Sequence, residues 1–245
     1  MIICEIGVNH LGDEDYADEY VSALVDARPD AVTFQVREPE RYQGESAKLL
    51  LPETYYQKAA RRVKQAGLRF GMALADENKV EFFENLNVDF YKVLSKDILN
   101  FSLLDKVLAT NKPIFISTGL SDFEEIDKLV EFLGARKKRC ALIHTQLTHE
   151  IEETQLKAIP QMQKKFQLPV AFGSHSPNPN VLYASIGLEP SDIFFYVKGG
   201  RTTVHPDEKH AIKLSDCTAV IANLKELEDA LGDGIKHKMK NTITK

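Results

Sequence analysis

Short apolar segments alternate with segments of helical periodicity eight times along the 245-residue chain. Apolar runs bounded by turn residues are typical of buried strands, and strands that alternate with helices indicate a parallel sheet covered by helices. Eight such units at this length predict a single-domain α/β fold, a (β/α)8 TIM barrel over residues 1–231, followed by a polar tail over residues 232–245. An open, doubly wound sheet is the alternative. No G-x-G-x-x-G motif follows a strand, which weakens the dinucleotide-binding form of that alternative.

The sequence also predicts where each element begins and ends. The predicted strands are 2–7, 31–36, 69–73, 90–95, 113–117, 140–144, 170–173 and 193–197. The predicted helices are about 15–27, 53–66, 76–86, 101–109, 121–133, 153–166, 179–186 and 215–231. Ser121 and Glu124 have the spacing of a capping box, and Ser215 is the predicted cap of the last helix. The basic run 136–139 is expected in a solvated turn at the bottom of the barrel.

Charge and cysteine content restrict the classes of function. The net charge of −5 argues against a nucleic-acid partner, and no apolar run has the length of a membrane helix. The chain opens directly on a strand without a basic region, so no signal peptide is expected. Cys4, Cys140 and Cys217 are dispersed, which favours reduced, buried thiols in a cytoplasmic protein and gives no structural zinc motif.

Polar and charged residues follow the predicted strands, where the active site of a barrel lies. Glu5 sits inside the first apolar run, and a buried carboxylate is costly unless a positive or hydrogen-bonding group meets it. We therefore expect Glu5 to face a pocket; a surface position on an edge strand is the alternative. Further candidates near the strand ends are Asn9, Gln35, Arg37, Ser95, Lys96, His149, His175, Lys198, Arg201, His205 and Asp207.

Lys92, inside the fourth predicted strand, is the most informative of these residues. It fits three interpretations: a structural ion pair with Glu5, a cation for an anionic substrate, and an amine that forms a Schiff base. The other cations near the strand ends favour an anionic ligand such as a phosphate or carboxylate; they are Arg37, Lys96, Lys198 and Arg201. His175 fits a metal ligand, a general acid or base, or a hydrogen-bonded turn residue, and its spacing does not separate them.

Four segments of the chain, CEIGVNHLGD, DFYKVLSKDILN, KPIFISTGLS and PVAFGSHS, resemble motifs of the sialic acid synthase family in the same order. Enzymes of that family condense phosphoenolpyruvate with an N-acylated amino sugar. The resemblance covers nearly the whole chain. It implies a (β/α)8 barrel and an attack by C3 of phosphoenolpyruvate on an open-chain sugar aldehyde. It also implies a divalent metal, manganese or magnesium, that polarises the aldehyde.

Position by position, the resemblance assigns roles to residues of this chain. It implies catalytic roles for Glu5, Lys92 and Asp207, and metal binding by His175. The substrate and phosphate site implied by the resemblance and by the nearby cations comprises Asn9, Gln35, Arg37, Ser95, Lys96, Lys198 and Arg201.

Several positions depart from the family pattern. Thr33 replaces a lysine of strand two, and the E-K-H-F motif of strand eight becomes residues 195–198, which lack the carboxylate and the second metal-binding histidine. One histidine does not hold a divalent ion by itself, so His149 and His205 are the hypothetical co-ligands, and metal dependence stays open.

The resemblance implies a homodimer, but the chain stops where the family continues into a small antifreeze-like domain, so a separate partner chain that supplies this domain is the alternative. We expect an active phosphoenolpyruvate-condensing relative with an altered substrate. The alternatives are a catalytically impaired or partner-dependent barrel that binds an anionic sugar or phosphate, and a metal-independent Schiff-base aldolase or lyase that uses Lys92.

Overall fold

The computed structural model describes residues 1–237, and residues 238–245 of the predicted tail lie outside the described residues. Eight parallel strands form a closed barrel, in which β1 pairs with both β2 and β8. Because β1 and β8 are hydrogen-bonded, the predicted barrel is confirmed and the open sheet is excluded. The strands are β1 (Ile2–Gly7), β2 (Ala31–Val36), β3 (Arg69–Leu74), β4 (Phe90–Val93), β5 (Ile114–Ser117), β6 (Cys140–His144), β7 (Val170–Ser174) and β8 (Ile193–Lys198).

Helices connect successive strands on the outside of the barrel. They are α1 (Glu14–Ala27), α2 (Glu53–Gln65), α3 (Val80–Asn85), α4 (Phe101–Ala109), α5 (Phe123–Leu133), α6 (Ala158–Phe166), α7 (Asn180–Ile186) and α8 (Leu214–Leu231). The capping box of α5 is present one residue later than predicted: Asp122 accepts from the backbone of Glu125, whose side chain accepts from Asp122. The predicted capping box of Ser121 and Glu124 was therefore wrong by one residue.

Two predicted helices are shorter in the structure. The segment predicted as 76–86 is a 3₁₀ turn, Glu77–Lys79, followed by α3, and α6 begins at Ala158 after a separate 3₁₀ turn, Ile151–Glu153. Proline lacks a backbone N–H and is tolerated only in the first turn of a helix. In a helix that began at residue 153, Pro160 would lie in the middle of the helix. A start at Ala158 places Pro160 in the first turn.

The end of the chain differs from the prediction in two ways. A short strand, β9 (Ile212–Lys213), pairs with the outer part of β8 and was not predicted. Helix α8 then starts directly at Leu214, so Ser215 lies inside the first turn, where its hydroxyl donates to Asp216. The basic run 136–139 belongs to a 3₁₀ turn that leads into β6.

The barrel interior and the strand–helix interface form separate apolar clusters. Side chains two apart on a strand share a face. The interior cluster contains Ile3, Ala31, Phe90, Phe115, Ala141, Ile143, Ala171 and Phe194. Glu5, Lys92 and Tyr196 therefore face the interior two residues beyond Ile3, Phe90 and Phe194. The barrel has an apolar floor, and charged groups lie above it toward the C-terminal ends of the strands.

Helices of the described part of the chain lack the combination of length and apolar character needed to cross a bilayer. The three cysteines are free and buried, as predicted.

Gly71 of β3 tests the packing of the interior. A Cβ at this position would lie 2.3 Å from two ring carbons of Phe90, which packs edge-on against Phe115. We expect Gly71→Ala to lower the free energy of unfolding by about 1–3 kcal/mol through overpacking, measured by urea denaturation. Gly187→Ala is the control, because its nearest neighbouring atom would lie 3.8 Å away. Equal stability of the two variants would contradict this packing.

Candidate active site

A buried ion pair joins β1 and β4 inside the barrel. Lys92 Nζ donates to Glu5 Oε1 at 2.5 Å, and the two residues are 5% and 2% exposed. The ammonium also lies 5.3 and 5.4 Å from the ring centroids of Phe194 and Tyr196. The structure therefore contains the ion pair with Glu5 that was the first of the three interpretations of Lys92.

A cavity of about 240 Å³ opens at the C-terminal ends of the strands above this pair. Its lining draws on strands from around the barrel, as parallel strands bring their ends to one face. The predicted site residues that line it are Gln35, Arg37, Lys92, Ser95, Lys96, His175 and Asp207. Sequence reasoning did not select Tyr196 or the apolar rim residues Leu120 and Leu147, which also line this cavity.

Hydroxyl and amide groups form one polar corner of the cavity. Ser95 Oγ lies 2.7 Å from Ser117 Oγ and accepts from the backbone N–H of Gly119 at 3.1 Å. A Cβ at Gly119 would lie 2.7 Å from the Thr145 methyl group and 3.0 Å from Ser95 Oγ. Glycine at this position therefore allows the backbone amide to approach the hydroxyl pair.

Arg37 differs from the other cations of the cavity. Lys92 is paired with Glu5, and Lys96 contacts Glu38 at 3.2 Å and Asp97 at 2.8 Å. Among residues 1–237, no carboxylate forms an ion pair with Arg37. A guanidinium without a counter-charge at the wall of a cavity is a ready partner for a carboxylate or phosphate ligand.

Asp207 is held in the cavity by Asn9. Its backbone N–H donates to Asn9 Oδ1 at 3.0 Å, and Asn9 Nδ2 donates to the carbonyl of Val197 at 2.8 Å. Burial and the neighbouring Glu5 carboxylate raise the pKa of Asp207 to about 6, against the opposing effect of Arg37. A carboxyl group with this pKa exchanges protons near neutral pH, as a general acid or base requires.

Three histidine rings lie side by side next to this carboxylate. The ring centroid of His210 is 4.3 Å from that of His175 and 5.5 Å from that of His149. Burial, together with the neighbouring imidazoles and Lys92, lowers the pKa of His175 to about 2 and that of His210 to about 4. Both rings are therefore neutral at physiological pH, in the state that binds metals.

Sequence reasoning missed His210, which lies in the irregular segment of residues 199–211 between β8 and β9. The one sequence feature that could have indicated His210 is its position three residues after Asp207. Its backbone N–H donates to the Asp207 carbonyl at 3.2 Å. Both ring nitrogens of His210 are buried, and neither has a hydrogen-bond partner among residues 1–237.

Neutral imidazoles of His175 and His210 lie beside the Asp207 carboxylate, and these are donor types that divalent metal ions accept. Within residues 1–237, however, no group of three His, Cys, Asp or Glu side chains converges on one point.

The structure places three other predicted site residues in a second cavity, of about 350 Å³, lined by Lys198, Arg201 and His205. Lys198 donates to Glu208, and Arg201 donates to Asp13 at 2.6 Å. His205 is hydrogen-bonded to the Tyr16 hydroxyl at 2.7 Å and to Glu208 at 2.9 Å. These side chains are therefore paired away from Lys92, and both ring nitrogens of His205 already have partners.

The closed parallel barrel, with charged and titratable groups gathered at its strand ends, defines a (β/α)8 protein whose site lies at the C-terminal face. The chain belongs to the NeuB family, whose profile matches residues 21–236.

Proteins similar to this chain include two named synthases. The N,N'-diacetyllegionaminic acid synthase of Campylobacter jejuni is 25% identical, with 98% of this chain and 80% of the relative covered. The N-acetylneuraminate-9-phosphate synthase of Homo sapiens is 23% identical, with 96% and 72% covered. The crystal structure of N-acetylneuraminic acid synthetase from Leptospira borgpetersenii, in complex with citrate, matches with a TM-score of 0.90. That structure is 20% identical, and the match covers 98% of this chain and 87% of the other.

The buried ion pair leads to a prediction about stability. Glu5→Gln leaves the Lys92 ammonium buried without a counter-charge, and we expect the free energy of unfolding to fall by about 3–5 kcal/mol. The double variant Glu5→Leu/Lys92→Met removes both charges and should recover most of this loss. Urea denaturation with unchanged m-values measures both effects. A double variant as unstable as Glu5→Gln would contradict the explanation by desolvation.

His10 leads to a prediction about acid sensitivity. Its Nδ1 accepts from the backbone N–H of Gly12, and its buried Nε2 has no partner in the described part of the chain. Burial lowers the pKa of His10 to about 3. Between this pKa and the value of about 6.5 in the unfolded chain, only the unfolded state binds the proton, so stability falls as the pH decreases.

His10→Asn retains an acceptor near the Nδ1 position and removes the titration. Between pH 7 and pH 4.5, this variant should lose about 2 kcal/mol less unfolding free energy than the wild type. His237→Asn, at an exposed histidine, is the control and should behave as the wild type does. Equal acid sensitivity of His10→Asn and the wild type would contradict the burial argument.

Proposed function

We propose that this chain condenses phosphoenolpyruvate with the open-chain aldehyde of an N-acyl amino sugar, in synthesis of a sialic or related nonulosonic acid. The observation that carries the proposal is one cavity that combines three features. They are Arg37, which has no ion-pair partner among residues 1–237, the Ser95–Ser117 hydroxyl pair, and Asp207 with its pKa of about 6. Membership of the NeuB family and the synthase names of its relatives support it.

The polar side of the cavity matches the two anionic groups of phosphoenolpyruvate. Arg37 supplies a bidentate guanidinium, and the Ser95 and Ser117 hydroxyls supply neutral groups able to bind anionic oxygens. We assign the anionic end of the substrate to this side. Gln35 and Lys96 line the same cavity and are assigned supporting contacts.

Arg37 also supplies a positive charge in place of the lysine that the family has in strand two. Thr33 occupies that position, and its buried hydroxyl has no hydrogen-bond partner among the described residues. Residues 33, 35 and 37 lie on the same face of an extended chain. The cation of this strand therefore lies at residue 37, four residues after the position of the family's lysine. This shift favours a substrate whose anionic group differs from the family's or binds at a different point of the cavity.

The reaction forms one carbon–carbon bond and releases phosphate. C3 of phosphoenolpyruvate attacks the aldehyde carbon, the aldehyde oxygen gains a proton, and water adds at C2. The bond between C2 and the phosphate oxygen then breaks, and the products are a 2-keto acid and inorganic phosphate. Asp207 is assigned the proton transfers, since its pKa of about 6 allows it to give and take a proton near neutrality.

The Glu5–Lys92 pair is assigned the role of a fixed dipole beneath the reacting atoms, because its partners are rigidly placed and shielded from water. The resemblance implies a divalent ion at His175, which when bound would supply Lewis-acid polarisation of the aldehyde.

The alternatives make different predictions. A Schiff-base enzyme requires a free amine, whereas Lys92 is engaged by Glu5, and borohydride trapping with a keto acid tests this alternative directly. A partner-dependent barrel would bind the anionic ligand and release phosphate only with a second chain. We also propose that the chain forms a homodimer and acts in the cytoplasm.

Calorimetric titration of phosphoenolpyruvate tests the assignment of Arg37. Loss of a charge-assisted hydrogen-bonding partner typically costs 1.5–3 kcal/mol, so Arg37→Met should raise the Kd for phosphoenolpyruvate by roughly 10- to 100-fold. Arg61→Met is the control, because Arg61 lies exposed on α2, and its Kd should equal that of the wild type.

The wild type should release phosphate from phosphoenolpyruvate when the right N-acyl amino sugar of a panel is added. It should release none when the sugar is left out. Unchanged affinity in Arg37→Met would remove Arg37 from the anion site. Binding without phosphate release for any sugar would favour the partner-dependent alternative.

A further inference from the structure

We propose that the Tyr196 hydroxyl donates a hydrogen bond to the aldehyde oxygen of the acceptor sugar and stabilises the negative charge that this oxygen gains during condensation. The inference rests on the proposed function and deepens it, because it gives a step of the reaction to a residue that sequence reasoning did not select. Tyr196 lies within residues 195–198, the part of β8 that departs from the family's E-K-H-F motif.

The hydroxyl of Tyr196 faces the cavity and is unused by the protein. The residue is 7% exposed and lines the cavity above the Glu5–Lys92 pair. Among residues 1–237, no group forms a hydrogen bond with this hydroxyl. Other buried tyrosines have partners for theirs, as is usual; they are Tyr16, Tyr20, Tyr55 and Tyr91. Tyr56 lacks one in the described part of the chain, but its hydroxyl is enclosed by the core around the barrel, whereas that of Tyr196 is open to a ligand.

The ring of Tyr196 is held from several sides, which fixes the direction of its hydroxyl. Lys92 Nζ lies 5.4 Å from the ring centroid. The rings of His175 and His210 meet the phenol edge-on, with centroids 5.5 and 5.2 Å away. A donor whose direction is set before the reaction does not have to reorganise when charge develops on its acceptor.

Gly7 brings Tyr196 and Asp207 to the same point of the cavity. The pairing of β1 with β2 is irregular between Glu5 and Gly7, and Gly7 has a φ of 58°. A Cβ at this position would lie 3.0 Å from Tyr196 Cε1 and 3.2 Å from Asp207 Oδ2. Cε1 is bonded to the ring carbon that carries the hydroxyl, so the hydroxyl end of the ring and the carboxyl group are neighbours.

This arrangement places the aldehyde oxygen within reach of the phenol. The anionic end of phosphoenolpyruvate is assigned to the side of Arg37, and Asp207 is assigned the proton transfer to the aldehyde oxygen. An oxygen that contacts Asp207 therefore lies next to the hydroxyl of Tyr196. Burial raises the pKa of Tyr196 above its ordinary value of about 10, so the hydroxyl keeps its proton and acts as a donor.

Tyr196 and Asp207 have different parts in the step. As C3 of phosphoenolpyruvate bonds to the aldehyde carbon, one electron pair of the C=O bond moves to the oxygen. Tyr196 donates a hydrogen bond to that oxygen and keeps its proton, and Asp207 delivers the proton that the oxygen gains. Hydrogen bonds to charged oxygens are stronger than those to neutral ones, so the contact favours the transition state over the bound aldehyde.

Tyr196→Phe tests the inference, because it removes the hydroxyl and retains the ring. Phosphate release from phosphoenolpyruvate is measured with the panel of N-acyl amino sugars at one fixed manganese concentration. We expect kcat to fall by roughly 100- to 1000-fold, as loss of one donor to a developing oxyanion does. The KM for phosphoenolpyruvate should stay unchanged, because its anionic end is assigned to the other side of the cavity.

Tyr183→Phe is the matched control. The Tyr183 hydroxyl accepts from Asn223 Nδ2 at 3.2 Å on the outside of the barrel, away from the cavity. This variant should retain the kcat of the wild type, and thermal melting checks that both variants are folded.

Alditols give a second readout that needs no turnover. Reduction of the panel sugars with borohydride replaces the aldehyde oxygen by a C1 hydroxyl, and calorimetry measures their binding in the presence of phosphoenolpyruvate. Loss of a neutral hydrogen bond typically costs 0.5–1.5 kcal/mol, so Tyr196→Phe should raise the Kd of a bound alditol by roughly 2- to 10-fold.

The two readouts separate this inference from the proposed function. Wild-type kcat in Tyr196→Phe would overturn the inference and leave the proposed function standing. A weakened alditol in Tyr196→Phe, without phosphate release by the wild type for any sugar, supports the contact and counts against the condensation. A wild type that neither releases phosphate nor binds an alditol would overturn both.

A structural role of the hydroxyl would give a different pattern. It would lower the melting temperature and raise the KM for phosphoenolpyruvate together with the fall in kcat, and this result would overturn the inference. Should Tyr196→Phe fail to fold, replacement of Tyr196 by 3-fluorotyrosine retains the hydroxyl and makes it a stronger donor. This replacement should raise kcat, and an unchanged kcat would count against the inference.

Discussion

Two opposite charges meet in the middle of the barrel, between β1 and β4, and the rest of the site is built around them. Glu5 and Lys92 are nearly inaccessible to water, so each carries a desolvation cost that only its partner offsets. Aromatic rings of β8 enclose the ammonium and keep water away from the pair. Below the pair the interior is apolar; above it lie the groups that titrate and bind. The pair therefore marks the boundary between the part of the barrel that provides stability and the part that provides chemistry.

The field of this pair extends to the groups above it. Burial raises the pKa of Asp207 and Glu5 adds to that rise, while Arg37 and Lys92 oppose it. Lys92 also contributes to keeping the nearby imidazoles of His175 and His210 uncharged. The two charges of the pair thus act in opposite directions on Asp207, and Lys92 adds to the effect of burial on the two histidines. The interpretations of Lys92 as an ion-pair residue and as a site residue are compatible in this geometry.

The sequence predicted the barrel because near-continuous apolar strands alternate regularly with helices, and it placed Glu5, Lys92, Arg37 and Asp207 at the same face. What it did not predict depends on irregular backbone. β9 has two residues, too few for a periodic signal, and His210 lies in a segment without periodicity. His149 and His205 had equal standing in the sequence. Only the fold shows that one ring stacks in the cluster and that the other is held by Tyr16 and Glu208.

The segment of residues 199–211 contributes to two cavities at once. Asp207 faces the cavity of Lys92, while the next residue, Glu208, holds Lys198 and His205 in the other. Adjacent residues of this segment thus line the two cavities. For loop grafting between barrels of this family, the segment is consequently a single transferable unit. A graft that divides it would change the register of both walls, whereas a graft that takes it whole, together with Asn9 and Tyr16 as its anchors, carries both sets of contacts.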